Sequence, residues 1–257
     1  MIKLNLSQSV VNRIVDLLPT PRYKGTGRPH APIGSVVTGV LIRLLFNIPW
    51  YCISPDNCSG ITCYRYFREI QRRGLFKNIF YELIRDKIDA SVCSIDTTVS
   101  TSFRFKFMVS FNGKHKKYGT KISLIIDRNG LPVDVVFDTG KAHDLKMLGK
   151  HTDRIKQIRV KLINLDKGYT SIKMRRDMRL KRIKINMETR RNDYTRKRGP
   201  KFSIKEDIYK QRFEIEQKNA WIKGYKAVRH RLDRYASSYK GMVYMALIVI
   251  LVKHFEF

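Results

Sequence analysis

Three carboxylates in this sequence have the residue type and the context for phosphoryl-transfer chemistry. Asp96 lies near the end of the β-branched stretch SVCSIDTTV, Asp166 follows the apolar stretch VKLINL, and Glu216 lies within YKQRFEIEQKNAWIK. Carboxylate oxygens from two strand ends and a helix would form a hard-oxygen site of the kind that Mg²⁺ prefers. Two such ions can activate a nucleophilic oxygen and stabilise a leaving oxygen. The three acids therefore predict a metal-dependent site, provided that the fold brings them together.

The segment around Glu216 surrounds this carboxylate with cations and aromatic rings. At 3.6 residues per turn, one broad face of a predicted helix carries Tyr209, Arg212, Glu216 and Lys223. Taken alone, such a pattern is more often a solvated charged face. Trp221 is expected to anchor the helix by packing it on a sheet. The functional interpretation therefore depends on the two aspartates upstream.

The chain is strongly basic, which indicates a polyanionic partner. Lys and Arg number 52 against 22 Asp and Glu, a net charge of +30 over 257 residues. This excess favours nucleic acid over a membrane surface, although an RNA-binding protein would share it. The densest basic stretch, residues 171–201, is nearly of one sign, whereas a solvated face normally carries both signs. We expect this stretch to follow the phosphates of a bound strand.

Cysteine spacing and apolar runs limit the other classes. Cys52, Cys58, Cys63 and Cys93 form no CxxC pair, so reduced thiols are expected rather than a zinc site or a disulfide scaffold. The N-terminus lacks the apolar core of a signal peptide. The run 242–252 is too short to span a bilayer and predicts a buried C-terminal helix. We expect a cytoplasmic, DNA-associated protein (nuclear in a eukaryotic host) with no membrane partner.

Predicted secondary structure divides the chain near residue 88. Residues 1–88 contain short helices separated by Pro/Gly-rich loops, one of them basic, which predicts a helix-turn-helix-like DNA-binding region. A plain helical bundle with a solvated basic face is the alternative. Residues 89–257 follow the order β-β-β-α-β-α-β-α, which predicts a mixed α/β sheet. If strand one lies beside strand four, Asp96 and Asp166 become neighbours.

At this point the motifs resemble those of a known family, the DDE transposases of small bacterial insertion sequences. The family's Tyr-x2-Arg-x3-Glu-x6-Lys signature is matched with every spacing intact by Tyr209, Arg212, Glu216 and Lys223. Further similar segments are Ser94-Ile95-Asp96-Thr97-Thr98, Gly130-Leu131-Pro132, His143-Asp144, Asp166-Lys167-Gly168-Tyr169, the basic stretch 225–235, Gly27-Arg28-Pro29, Ile48-Pro49-Trp50 and residues 64–67. Gln217 departs from the Arg that the family often has there. The interval from Asp166 to Glu216 leaves no room for a large inserted domain.

The resemblance implies a ribonuclease-H-like catalytic domain at residues 89–257 and assigns roles within it. Asp96, Asp166 and Glu216 would be catalytic and would hold Mg²⁺ or Mn²⁺, with two ions expected. His143 and Asp144 would support the site without binding metal. The resemblance and the charge density together predict DNA contacts by Tyr209, Arg212, Lys223, Arg175, Arg176, Arg179, Arg190, Arg191, Lys197, Arg198, Arg229 and Arg231.

The sequence thus predicts a DNA transposase that nicks transposon ends and transfers the 3′-hydroxyl strand into target DNA. It would act on duplex DNA as a dimer or a higher oligomer. One alternative is a nuclease of the same fold without strand transfer. Such a nuclease has less need for Arg212 and Lys223 to hold the terminal strand. The other is a catalytically silent, transposase-derived DNA-binding protein, which has no reason to keep three acids facing phosphate.

Overall fold

The computed structural model describes residues 6–20, 25, 29–103, 106–188 and 204–255. Along the chain, the helices and strands are α1 (Gln8–Leu17), α2 (Ile33–Phe46), α3 (Gly60–Arg72), α4 (Leu75–Ile84), β1 (Val92–Ser102), β2 (Ser110–Asn112), β3 (Lys117–Ile126), β4 (Pro132–Thr139), α5 (Asp144–Lys150), α6 (Thr152–Gln157), β5 (Leu162–Leu165), α7 (Ile172–Leu180), β6 (Lys184–Met187), α8 (Glu206–Tyr209), α9 (Arg212–Gly224), α10 (Lys226–Arg229), β7 (His230–Arg231) and α11 (Ala236–Phe255). Short 3₁₀ turns occupy Trp50–Cys52 and Lys167–Tyr169.

The chain forms two compact units, and the first combines its two ends. This unit comprises residues 1–83, 105–107 and 222–257. Serine side chains cap α1 and α3, because Ser7 and Ser59 accept hydrogen bonds from Val10 N and Thr62 N. Helix α11 contacts α1, α2 and α3, which is why residues 222–257 group with the N-terminal helices. The predicted division at residue 88 had placed them with the sheet.

Helix α11 is the C-terminal helix that the sequence predicted to be buried. By length and composition it could cross a bilayer, but 78% of its most apolar window is buried inside the protein. The approach to α3 is close, since a Cβ at Gly241 would lie 2.9 Å from the Phe67 ring. Tyr244 also contacts Phe80, with ring centroids 5.8 Å apart. These contacts make α11 a core helix of the first unit.

The second unit comprises residues 84–104 and 108–221 and contains a mixed sheet. Strand β3 pairs antiparallel with β1 along one edge, and with β2 and β4 along the other. Strand β1 then pairs parallel with β5, and β5 with β6. The inner strands β3 and β5 are almost continuously buried, as expected for strands covered on both faces. The prediction of a mixed α/β sheet is confirmed. The predicted first and fourth strands correspond to β1 and β5, and their predicted adjacency is confirmed as well.

The predicted helix around Glu216 is interrupted, and the strand that carries Asp96 is longer than expected. Further upstream, α5 and α6 are separated at His151, which is fully buried. The helix predicted for residues 209–223 starts at Arg212, because Tyr209 ends the separate helix α8. Strand β1 continues to Ser102, so Asp96 lies in mid-strand.

Helix α9 buries only some of its apolar residues. Ile215 and Ile222 are buried, but Phe213 is 64% exposed and Trp221 is 50% exposed. The Lys218 ammonium lies 3.9 Å from the centre of the Trp221 ring, a favourable cation–π distance. Trp221 is therefore not the buried anchor that its residue type suggested.

Candidate active site

The sheet register brings two of the predicted acids together. The last parallel pair between β1 and β5 joins Ser94 and Asn164. Asp96 and Asp166 lie two residues beyond this pair, each on its own segment, where β5 ends and the chain turns away. Equal offsets from a parallel pair place the two residues side by side at the carboxyl edge of β5. The expected convergence of these two aspartates therefore follows from the strand pairing.

Arg212, in the first turn of α9, connects this edge to Glu216. Its Nη1 lies 3.3 Å from Asp166 Oδ1 and its Nη2 lies 3.4 Å from Glu216 Oε1. Nη1 also donates to the Tyr209 hydroxyl at 3.0 Å. Burial lowers the pKa of Arg212, but the Tyr209 hydrogen bond and the charges of Asp166 and Asp96 outweigh it, so the pKa is raised overall. A permanent positive charge thus contacts two of the three acids.

Asn219 contacts the third acid, and the sequence analysis did not single it out. Its Nδ2 donates to Asp96 Oδ2 at 2.9 Å, and the residue is 5% exposed. The only signal in the sequence is its position three residues after Glu216, which puts the two on neighbouring parts of one helix face. Burial raises the pKa of Asp96, against the lowering effects of the Thr97 backbone, Arg212 and the Asn219 bond.

Asp144 lies behind the acids in a hydrogen-bonded group. Its Oδ1 accepts from the Thr97 hydroxyl at 2.9 Å and pairs with the Lys121 ammonium at 2.9 Å. A Cβ at Gly168 would lie 3.7 Å from Asp144 Oδ2 and 3.8 Å from Asp166 Oδ2. The backbone at Gly168 therefore passes beside both carboxylates. This placement agrees with a supporting role for Asp144.

His143 and Tyr169 flank the same region. The His143 ring Nδ1 accepts from Leu145 N at 3.2 Å, so His143 caps the start of α5. Burial raises the pKa of the Tyr169 phenol, and the charges of Asp144 and Asp96 raise it further. Tyr169 thus remains a neutral phenol beside the carboxylates at physiological pH.

The donor chemistry of the three acids suits a divalent cation, while their present arrangement is held by Arg212. In the described parts of the chain, no three His, Cys, Asp or Glu side chains are grouped closely enough to hold a metal ion. Carboxylate oxygens are nevertheless the ligands that Mg²⁺ and Mn²⁺ prefer. The carboxylates of Asp96 and Asp166 lie side by side where β5 ends. The Glu216 carboxylate contacts the Arg212 guanidinium, which also contacts Asp166.

The predicted DNA contacts fall into several groups. Arg176 and Arg179 are exposed on α7, and Arg175 is partly exposed there. Arg229 is exposed and its Nε donates to the Lys223 carbonyl at 2.9 Å, with Lys223 half-buried in the last turn of α9. Four predicted contacts lie outside the described residues, namely Arg190, Arg191, Lys197 and Arg198.

Arg231 is a correction to the predicted DNA-binding set. Its side chain is 1% exposed, and its Nε and Nη2 donate to the carbonyls of Asp233 and Arg234 at 3.0 and 3.2 Å. The guanidinium also lies 5.1 Å from the centre of the Tyr239 ring, and burial lowers the pKa of Arg231. A side chain enclosed in this way supports the connection into α11 and is not available to phosphate.

Two family models of transposases match the chain. Residues 87–251 match the family described as Transposase DDE domain, and residues 6–80 match a family of transposases of the IS4/5 family. No curated protein matches the sequence. A solved piggyBac transposase synaptic complex with hairpin DNA is 12% identical over 95% of this chain and 70% of that chain, with a TM-score of 0.49. That structural likeness is too low to carry any argument.

The family match covers most of the chain and includes all three acids. The mixed sheet, with antiparallel strands on one side of β1 and parallel strands on the other, is consistent with the ribonuclease-H-like catalytic domain that the motifs implied. The chain therefore belongs to the family of DDE transposases, and its residues 6–80 are similar to a family of IS4/5-type transposases.

Proposed function

We propose that the chain nicks transposon ends by hydrolysis and then joins the 3′-hydroxyl to target DNA, with Asp96, Asp166 and Glu216 as the catalytic acids. The observation that carries this proposal is the grouping of acids around one cation. The register of β1 and β5 puts Asp96 beside Asp166, and Arg212 contacts both Asp166 and Glu216. Membership of the family supports the same site, since the family match spans all three acids.

Asp96, Asp166 and Glu216 would hold two divalent ions, Mg²⁺ or Mn²⁺. When bound, such ions activate the attacking oxygen and neutralise charge on the leaving oxygen. Arg212 and Tyr209 would bind a phosphate of the terminal strand, the first by charge and the second by a hydrogen bond. Asn219 would orient the Asp96 carboxylate, and Asp144 would hold Thr97 behind it.

The partner would be duplex DNA, at both the transposon end and the target. The exposed arginines of α7 together with Arg229 would contact the backbone, as would Lys223 and the basic residues between 189 and 203. The charge of +30 supports this assignment. Joining two transposon ends to one target would require a dimer or a higher oligomer on DNA.

The test is cleavage of a labelled duplex that carries the element's own end. Wild type, Glu216→Gln and Glu206→Gln would be assayed with Mg²⁺ and with Ca²⁺. Glu206 is a matched control, because it is an exposed carboxylate on the neighbouring helix α8. We expect cleavage with Mg²⁺ in wild type and in Glu206→Gln, and its loss in Glu216→Gln with DNA binding retained.

The products also separate the alternatives. Joined products in the presence of a target duplex support strand transfer, whereas cleavage without joining indicates a nuclease of the same fold. Binding without cleavage in all three proteins would contradict the proposal. It would indicate a catalytically silent DNA-binding protein.

A further inference from the structure

Helices α6 and α7 end in the same way, and each ending carries an arginine in a strained backbone conformation. Arg159 follows α6 with φ of 56°, and Arg182 follows α7 with φ of 59°. In both cases the arginine N–H bonds to the carbonyl three residues earlier, and the next residue bonds to the carbonyl five residues before it. These bonds are Arg159 N to Lys156 O, Val160 N to Ile155 O, Arg182 N to Arg179 O and Ile183 N to Met178 O.

This pattern is a Schellman ending, in which the left-handed position is usually glycine. A side chain at that position crowds the backbone, which destabilises the folded state relative to glycine. Two successive helix-to-strand connections nevertheless place arginine there. Val160 and Ile183, the next residues, are buried as the motif requires. The local structure explains the turn but not the choice of arginine at both positions.

Both arginines line one cavity of about 420 Å³. Its floor is formed by the apolar residues Ile155, Val160 and Ile183, and its rim by five cations, Lys156, Arg159, Lys161, Lys181 and Arg182. Over the described ranges of the chain, none of these five forms a salt bridge. The negative end of a helix dipole favours a nearby cation. It does not account for five cations around one cavity, one of which, Lys161, lies near enough to an acid, Asp89, to contribute to the lowered pKa of that carboxyl.

The cavity lies at the N-terminal ends of strands β5 and β6, whereas the acids lie at the C-terminal end of β5. Strands β5 and β6 are parallel and both start beside it, whereas Asp166 follows the end of β5. At about 3.3 Å per residue, the four residues of β5 separate the two ends by about 13 Å. The cationic rim is therefore separate from the catalytic residues and from the phosphate contacts proposed for Arg212.

We propose that this rim is a second DNA-binding surface, which holds backbone phosphates of duplex DNA outside the reacting segment. The proposal rests on the proposed function, since it requires a DNA partner. Several cations without a salt bridge around one cavity suit the regular phosphates of a duplex, and such contacts carry no sequence preference. Arginine at the two strained positions suits phosphate, because its guanidinium can form two parallel hydrogen bonds.

The test compares two doubly substituted proteins of equal charge. Arg159→Gly/Arg182→Gly removes two rim cations and supplies the residue that the backbone prefers. Lys114→Gln/Lys117→Gln removes two exposed lysines near the β2–β3 turn. Binding to a random-sequence 30-base-pair duplex, about three helical turns, would be measured over a series of salt concentrations, together with thermal unfolding.

For the glycine variant we expect a higher melting temperature than wild type, together with DNA binding weaker on the order of tenfold at moderate salt. The slope of log affinity against log salt should become shallower by about 2, one for each lost phosphate contact. Arg159→Lys/Arg182→Lys should recover part of the affinity. Weaker binding in a more stable protein would separate loss of a binding surface from misfolding.

Equal affinities for the glycine and glutamine variants would overturn the proposal, because only total charge would then matter. Titration with inorganic pyrophosphate gives a second arm. Loss of pyrophosphate binding with unchanged duplex binding would reassign the rim to a small free anion and also overturn it. If the wild-type protein cleaves its end duplex and the glycine variant binds DNA normally, only the proposal for the rim is overturned, and the proposed function remains supported. A wild-type protein that binds no DNA overturns both.

Discussion

At the scale of single residues, the shape of Arg212 matters as much as its charge. Its two terminal nitrogens contact different carboxylates, and one of them also meets the Tyr209 hydroxyl. Lysine would keep the charge but offers one compact ammonium in place of a planar fork. Arg212→Lys should therefore lose at least one charge-assisted hydrogen bond.

A bond of this kind contributes about 1.5–3 kcal/mol, which corresponds to about 10–100-fold in rate. We expect single-turnover cleavage of end DNA by Arg212→Lys to slow by that factor. Lys210→Arg is the control, because it makes the opposite exchange at an exposed position that follows α8. It should leave the rate unchanged. Cleavage by Arg212→Lys at the wild-type rate would show that charge alone is sufficient.

Asn219 gives a prediction with a direction in pH. Its bond to Asp96 favours the carboxylate form, against burial, which raises the pKa of Asp96. Asn219→Ala should raise that pKa further, so that Asp96 becomes protonated at a higher pH as acid is added. The acid limb of the cleavage profile should move to higher pH.

Loss of a residue that orients a ligating group typically lowers activity by about 10–100-fold. The rate of Asn219→Ala should fall within this range. Gln217→Ala, an exposed neighbour on α9, should change neither the rate nor the profile. An unshifted acid limb in Asn219→Ala would mean that this bond does not influence Asp96.

At the scale of secondary-structure elements, His151 connects β3, β4 and the start of α6. Its ring is buried between Asp134 Oδ2 at 2.6 Å and Ser123 Oγ at 2.9 Å. The three residues are the types of a hydrolase triad, but all are buried, so a substrate could not reach them. Their role is to fix the packing of α6 on the sheet.

Replacing this ring by an apolar side chain would leave the Asp134 carboxylate buried without the ring nitrogen. Leaving a buried donor or acceptor without its hydrogen-bond partner typically destabilises a protein by about 1–3 kcal/mol. We expect His151→Leu to lower the urea midpoint accordingly, with His254→Leu near the end of α11 as the exposed control. A midpoint within error of wild type would show that the network adds no stability.

Strand β4 and helix α5 are joined by Asp138, whose carboxylate lies 2.9 Å from the ammonium groups of both Lys146 and Lys150. Burial opposes ionisation, but these lysines and Thr139 N hold the pKa of Asp138 below its ordinary value. A lowered pKa stabilises the fold above the unfolded-state pKa of about 3.9, and this contribution is lost as the pH falls below it.

Urea unfolding of wild type and Asp138→Asn at several pH values measures this contribution. We expect wild type to be more stable than Asp138→Asn from pH 5 to pH 7. The difference should shrink as the pH falls through about 4. A difference that is constant with pH would show that the ion pairs are not its source.

At the scale of the whole molecule, the first unit is built from both ends of the chain. Leu247 in α11 is fully buried, whereas Trp50 lies in the N-terminal part of the same unit and packs against Tyr64 and Phe67. A substitution near the C-terminus should therefore destabilise the surroundings of Trp50.

Leu247→Ala in a Trp221→Phe background tests this, because Trp50 is then the only tryptophan. Truncation of a buried leucine typically destabilises by about 2–5 kcal/mol. We expect Trp50 fluorescence to report a loss of this size, and no loss for the exposed Ser237→Ala. An unchanged Trp50 transition would show that the N-terminal helices fold without α11.

Much of this organisation could be predicted because it is encoded locally. Periodicity and Pro/Gly-rich loops predicted the short helices before residue 88, and the apolar run near the C-terminus predicted the buried helix α11. The acid motifs predicted Asp96, Asp166 and Glu216 as the candidate catalytic residues. The mixed sheet was predictable from the order of its elements, since three hairpin-type strands followed by crossover units leave few pairings.

The tertiary structure alone decided the contacts between residues far apart in the chain. The bond from Asn219 to Asp96 spans 123 positions, and no local pattern specifies it. Burial of Arg231, exposure of Trp221 and the break at His151 likewise depend on which elements pack together. Arg159 and Arg182 are a further example. The sequence around each shows only a basic helix end, and the fold brings both side chains to one cavity. Local sequence fixes backbone preferences over a few residues, whereas burial and charge pairing depend on neighbours that the chain supplies only after folding.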